Sequence, residues 1–196
     1  MNRELIINVS KSEITIALAE DKRLVELGKE SVKNGFSVGD IYLGRVRKIM
    51  PGLNAAFVNI GHEKDAFIHY LDLGPQFGSL QKLMGQLTGA KKKNVQFDTF
   101  KLEQPIGKTG KISNLLTTGQ PIVVQIAKEA ISTKGPRLTS DISLAGRNVV
   151  LIPFSNKISI SQKIRSAEER KRLKKIALSI LPKNYGVIIR TAAQDK

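Results

Sequence analysis

The segment from 41 to 73, IYLGRVRKIMPGLNAAFVNIGHEKDAFIHYLDL, leaves little choice of fold. Strand-like runs at 41 to 49, 53 to 60 and 65 to 70 are separated by ProGly at 51 and 52 and by GlyHisGluLys at 61 to 64. Short β-prone runs punctuated by tight turns read as an antiparallel meander. Two further runs, PIVVQIAKEA at 121 to 130 and RLTSDISLAG after Pro136, bring the number of short strands to five. Five such strands predict a small closed barrel, because closure removes exposed strand edges.

The flanks have a different texture. At the N-terminus Leu5, Ile7 and Val9, then Ile14, Ile16 and Leu18, then Leu24 and Leu27 alternate with polar residues, and SerLysSer (10 to 12) and AspLys (21 to 22) break the runs. This pattern predicts a three-stranded meander with one apolar face, which cannot stand alone in water. The next hundred residues carry nothing that reads as its missing cover, which is expected from sequence beyond residue 196. Residues 74 to 118 hold many Gly, Lys and Gln with weak periodicity and predict a long basic loop. Such a loop is either a mobile arm that meets phosphate or a merely solvated insertion.

After Gly146, NVVLIPF predicts a buried strand and KISISQKI a short one. A helix follows: Ser166 and Glu169 have the spacing of a capping box, Leu173, Ile176, Ala177 and Ile180 fall at i, i+3, i+4 and i+7, and Pro182 ends it. Its outer face carries Arg170, Lys171, Arg172, Lys174 and Lys175, read as solvated rather than RNA-contacting. A last β run stops just after Arg190 and Thr191.

Charge narrows the chemistry. Among 196 residues, 32 Lys and Arg stand against 17 Asp and Glu, a net charge of +15, so a polyanion, nucleic acid first, is the natural partner. The absence of Cys excludes disulfides, thiolate metal sites and Cys nucleophiles within these residues. No apolar run reaches the ~18 residues of a membrane span and MNRELIINVS lacks a signal-peptide layout, so a cytoplasmic location is expected. Hydrolysis would need carboxylates converging on a metal or a paired acid and base. The two His, His62 and His69, lie on a predicted turn and a strand, and the acids are scattered. No catalytic residue and no metal site is assigned, and the chain reads as a binder.

Aromatic residues make up only 5% of the chain, so their positions matter. A barrel that reads single strands stacks bases on exposed rings, each stack worth about 1–3 kcal/mol. Phe57 and Phe67 occupy neighbouring predicted strands, with Tyr42 and His69 nearby. Both rings fit a stacking platform and both fit a core.

The run GRVRKIMPGLNAAFVNIGHEKDAFIHYLDL is similar to an S1-type RNA-binding domain. Together with AAFVNIG, TKGPRLTSDISLAGRNVVLIP and GVIIRTA, it resembles the ribonuclease E/G family of bacterial endoribonucleases, over the whole chain except 74 to 118. The resemblance implies a mostly β fold with minor α. Residues 1–36 would be the first strands of a split RNase H-like domain, 37–128 an S1-type OB-fold barrel and 129–196 a 5′-sensor region of α+β elements. It implies that Phe57, Phe67 and Lys134 touch single-stranded RNA. It also implies that Gly146, Val150, Arg190 and Thr191 surround a 5′ monophosphate; without it, Arg190 reads as the partner of a surface acid. The one departure is GlyPro at 135 and 136 in place of Gly-Ala, which stiffens the turn after Lys134.

The same resemblance implies that the catalytic DNase-I-like subdomain, with its Mg2+ carboxylates, is absent here. The chain would be the RNA-binding and 5′-end-sensing N-terminal part of an oligomeric endoribonuclease active in RNA processing or decay, inactive and without a cofactor on its own. A stand-alone S1-type RNA-binding module is the alternative, opposed by the half-covered sheet at 4 to 27. A structural basic protein packed among ribosomal RNA is a third reading, and it would show no preference for a 5′ phosphate.

Overall fold

The computed structural model describes residues 2–31, 35–88 and 96–196, in two units, Met1–Phe36 and Ser37–Lys196. The first unit is an antiparallel sheet of three strands in sequence order: β1 (Arg3–Val9), β2 (Glu13–Glu20) and β3 (Arg23–Ser31). Its second turn is built on Asp21 and Lys22, both at positive φ (47° and 67°), the combination whose twist matches a two-residue hairpin. Ser10 accepts the Glu13 amide at 3.0 Å and shapes the first turn. Leu5, Ile7, Val9, Leu24 and Leu27 are all more than half exposed, so the apolar pattern is present without being buried.

In the second unit, β4 (Ile41–Met50), β5 (Ala55–Asn59), β6 (Ala66–His69), β7 (Pro121–Lys128) and β8 (Arg137–Thr139) close a barrel in the order β4-β5-β6-β8-β7. Val46, Val58, Ile68, Ile122, Val124, Ile126 and Leu138 fill it. Small residues make that filling fit: a Cβ at Gly44 would lie 2.6 Å from Val58 Cγ1. Gln125 on β7 is polar and buried, and it is satisfied, donating to the Gly39 and Ser143 carbonyls (2.8 and 2.9 Å) and accepting from the Ser143 amide (3.0 Å).

RLTSDISLAG is not one strand. The chain bends at 140 to 143, where the Ser140 amide donates to the Asp72 carbonyl and Ser143 meets Gln125, and only then enters β9 (Leu144–Ala145) in a different sheet. The basic loop expected at 74 to 118 contains instead a helix, α1 (Phe77–Thr88), and segments anchored to the rest of the unit. Phe77 and Leu80 are buried, and Leu80 packs in a cluster with Phe100 and Phe154. Tyr70 donates to the Gly107 carbonyl at 2.7 Å, while Asn54 donates to the Gly110 carbonyl and accepts from the Ile112 amide. Nonlocal packing wins over poor local propensity, since Gly78 and Gly85 interrupt the helix pattern. The lysine run of the expected basic loop, Lys91 to Lys93, lies outside the described residues.

The second sheet has the order β11-β12-β10-β9, with β10 (Val149–Pro153), β11 (Ile158–Ile160) and β12 (Tyr185–Ile189). β11 and β12 are parallel, a pairing that needs a crossover, and α2 (Ala167–Ile180) supplies it. Ser166 caps α2 by accepting the Glu169 amide at 3.3 Å. The return half of the expected capping box is replaced. Glu169 pairs with Arg172 instead, both contacts 2.7 Å, and accepts the Asp195 amide at 3.1 Å. Of the four apolar positions expected to face the core, Leu173 and Ala177 are buried, whereas Ile176 and Ile180 remain exposed. Leu173 and Ala177 pack with Ile164, Val187, Ile189 and Ala193, so one stripe of the helix, not its whole apolar arc, covers the core.

Candidate nucleic-acid interface

Alternation along β5 and β6 decides where the two phenylalanines point. Ala56, Val58, Ala66 and Ile68 are buried, so Phe57 and Phe67, one residue away in each strand, face outward and are partly exposed. They are direct cross-strand partners, with ring centroids 5.9 Å apart and planes at 69°. The core alternative is thereby excluded for both rings. They share the lining of an open cleft of about 930 Å³ with Lys64, Lys128, Lys134 and Arg137. Apolar ring surface beside cations is what a stacked base and its phosphate require.

Lys134 and Arg137 come from a turn and the strand that follows it. Residues 131 to 134 close on themselves through reciprocal backbone bonds between Ile131 and Lys134 (3.2 and 3.0 Å), which projects Lys134 from a tight loop. The chain then passes through Gly135 and the buried Pro136, whose carbonyl accepts the Phe67 amide at 2.8 Å. Arg137 pairs in register with Phe67, and its guanidinium makes a two-pronged ion pair with Asp72 at 3.0 Å on each arm. The hydrogen bonds to Asp72 push the Arg137 pKa further up, so it is a fixed cation beside the ring.

Tyr42 and His69 are not brought into this cleft. Tyr42 sits towards the far end of β4, paired with Val124, and its hydroxyl approaches Asp40 at 3.4 Å. His69 closes β6 as a cap, its Nδ1 accepting the Leu71 amide at 3.1 Å. Lys64, Lys128 and Arg137 were not singled out from sequence. The available signal was their proximity in the chain to Asp65-Ala66-Phe67 and to the LysGlyProArg run, but the register that faces them onto one cleft is not local.

A second grouping forms at one end of the β10–β12 ladder. The Arg190 amide donates to Asn148 at 2.8 Å and its guanidinium donates to the Gly146 carbonyl at 2.7 Å, so its partner is a carbonyl rather than a surface acid. The Gly146 amide is turned back onto Val149 at 2.8 Å, and Val150 lies next along β10, half-buried between Ile188 and Ala145. Thr191 opens a 3-10 turn with its hydroxyl 3.3 Å from that of Ser161. The Arg190 guanidinium therefore meets a glycine 44 residues upstream, while the hydroxyl of the adjacent Thr191 meets Ser161.

Among the described residues, no group of three or more His, Asp or Glu side chains gathers as a metal site. These described residues offer no converging set of carboxylates that fits Mg2+. No described helix is long and apolar enough to cross a membrane.

Residues 143–196 match the model of the ribonuclease E/G family. Over 194 residues the chain is 37% identical to ribonuclease G of Escherichia coli strain K12, covering 99% of this chain and 36% of the relative. It is 40% identical over 191 residues to ribonuclease G of Haemophilus influenzae (97% and 35%), and 39% identical over 160 residues to ribonuclease E of Nostoc sp. (81% and 19%). The chain thus spans little more than a third of the length of the ribonuclease G proteins it matches.

Proposed function

This chain is ribonuclease E/G-like across almost its whole length, and on that premise we propose that it is the RNA-binding and 5′-end-sensing part of an endoribonuclease that acts on single-stranded RNA in processing or decay. The observation that carries the reading is the outward Phe57–Phe67 pair set among Lys64, Lys128, Lys134 and Arg137. A base inserted against these rings gains stacking, and its flanking phosphates meet Lys134 and Arg137, the latter already held in place by Asp72.

The cluster of Gly146, Val150, Arg190 and Thr191 is proposed as the 5′-phosphate site. With one arm of the guanidinium on the Gly146 carbonyl, the remaining donors and the Thr191 hydroxyl offer charge-assisted bonds to a terminal phosphate. A terminal hydroxyl would leave them unpaired. Hydrolysis, with its Mg2+ carboxylates, belongs in this reading to residues outside these 196, and the assembled enzyme is a homo-oligomer.

Titration of labelled single-stranded RNA into the protein tests the reading. Binding stronger than to a duplex of the same sequence, and falling steeply with salt, is expected. Equal binding of duplex and single strand would discard it.

A further inference from the structure

Lys134 stands on a turn that needs holding. Ser132, a non-glycine residue, has φ of 52° there, in the left-handed region that L side chains rarely adopt and keep only when the surroundings impose it. The carbonyl of that same Ser132 accepts the Lys64 ammonium at 2.7 Å. Lys64 comes from the other turn of the cleft, 61 to 64, itself fixed by two contacts. The Gly61 amide donates to the Asn59 side chain (2.8 Å), and the Lys64 amide donates to His62 Nδ1 (3.0 Å).

The two turns also meet through backbone. Gly135 lies so close to the Asp65 carbonyl oxygen that a Cβ at this position would collide with it, and the Lys64 carbonyl oxygen would be 3.2 Å away. Lys64, Lys134 and the two phenylalanines line the same cleft.

We infer that Lys64 is a positioning residue for the proposed RNA interface: its ammonium, spent on the Ser132 carbonyl, fixes the 131–134 turn so that Lys134 is presented to the RNA phosphate beside Phe57 and Phe67. This rests on the RNA-binding reading above and adds a division of labour between two lysines that composition alone would count as equal. One contacts the backbone of the ligand, and the other contacts the backbone of the protein. Gly135 is the second component of the clasp, since its missing side chain lets the turn sit on residues 64 and 65.

A double-mutant cycle on the full chain separates the roles, with a short fluorescent oligouridylate carrying a 5′ monophosphate as probe. Lys64→Met is expected to weaken binding about threefold to tenfold. It should also flatten the salt dependence by about the 0.7 of one single-strand phosphate contact, as Lys134→Ala does. In the Lys134→Ala background Lys64→Met is expected to add nothing, and Lys64→Arg, which can still donate to Ser132, is expected to retain most of the affinity. Gly135→Ala removes no charge and is expected to mimic Lys134→Ala, provided that its thermal melting shows a folded chain; Lys64→Met and Lys64→Arg decide the matter if it does not.

Additive losses in the double variant, or a further drop in salt slope there, would mean that Lys64 touches RNA directly and would overturn the inference. Wild-type affinity in Lys64→Met beside a weakened Lys134→Ala would overturn it while leaving the interface intact. Wild-type affinity in Lys134→Ala and in Phe57→Ala together would remove the interface reading itself, and the role of Lys64 with it.

Discussion

Phe57 and Phe67 face each other across the β5–β6 ladder with ring centroids 5.9 Å apart, on the outside of a barrel whose inside they would have filled had either strand slipped by one residue. Their exposure is thus a consequence of register. Replacing either by Ala removes little from the core and should leave the fold intact. Affinity for single-stranded RNA should fall by about 1–3 kcal/mol at every salt concentration with an unchanged salt slope, because a stack releases no counterion. Fluorescence anisotropy across a salt series reads both quantities.

Lys134→Ala should have the opposite signature. The loss in affinity should be greatest at low salt, with the slope of log K against log salt shallower by about 0.7. A parallel displacement of the line would show that Lys134 makes no phosphate contact.

Arg190→Ala should abolish discrimination between RNAs ending in a 5′ monophosphate and a 5′ hydroxyl. The wild type should prefer the monophosphate by about 1–3 kcal/mol, the range for hydrogen bonds to charged groups. Competition between otherwise identical strands measures it, and equal preference in wild type and variant would refute sensing by this cluster.

The carboxyl of Glu169 is held down at about 2, chiefly by the Arg172 guanidinium and then by the Asp195 amide. Its folded pKa lies below the ordinary value of 4.5, so its contribution to stability is complete above that value and is lost as pH falls towards 2. Glu169→Gln should therefore be less stable than wild type at neutral pH and should converge with it in acid. Urea unfolding at a series of pH values checks this, and a difference that does not shrink in acid would contradict it.

The amides of β1 to β3 should exchange with solvent faster than those of the barrel. Three strands with Leu5, Ile7 and Val9 exposed bury too little apolar surface to resist opening, whereas Val58, Ile68 and Leu138 are inaccessible. Hydrogen exchange followed by mass spectrometry distinguishes the two regions, and equal protection would mean that the sheet is covered in solution.

Those elements that depend on neighbours in the chain were legible in its sequence. Period-two alternation and the turns at 51 to 52 and 61 to 64 located β4, β5 and β6, and Ser166 and Pro182 bracketed α2, since each signal acts within a few residues of its effect. Tertiary structure decided the rest. Helix α1, with Gly78 and Gly85 in its pattern, is supported by burial of Leu80 with Phe100 and Phe154, contacts that no local period encodes. The split of RLTSDISLAG follows from Gln125 and Asp72, and the exchange of Tyr42 and His69 for Arg137 and Lys64 at the cleft follows from barrel closure. Arg137 is 65 residues from Asp72 and Lys64 is 68 from Ser132. Pairs at such separation are joined only when the barrel brings the strands into register, so the residue types were visible in the sequence but their meeting was not.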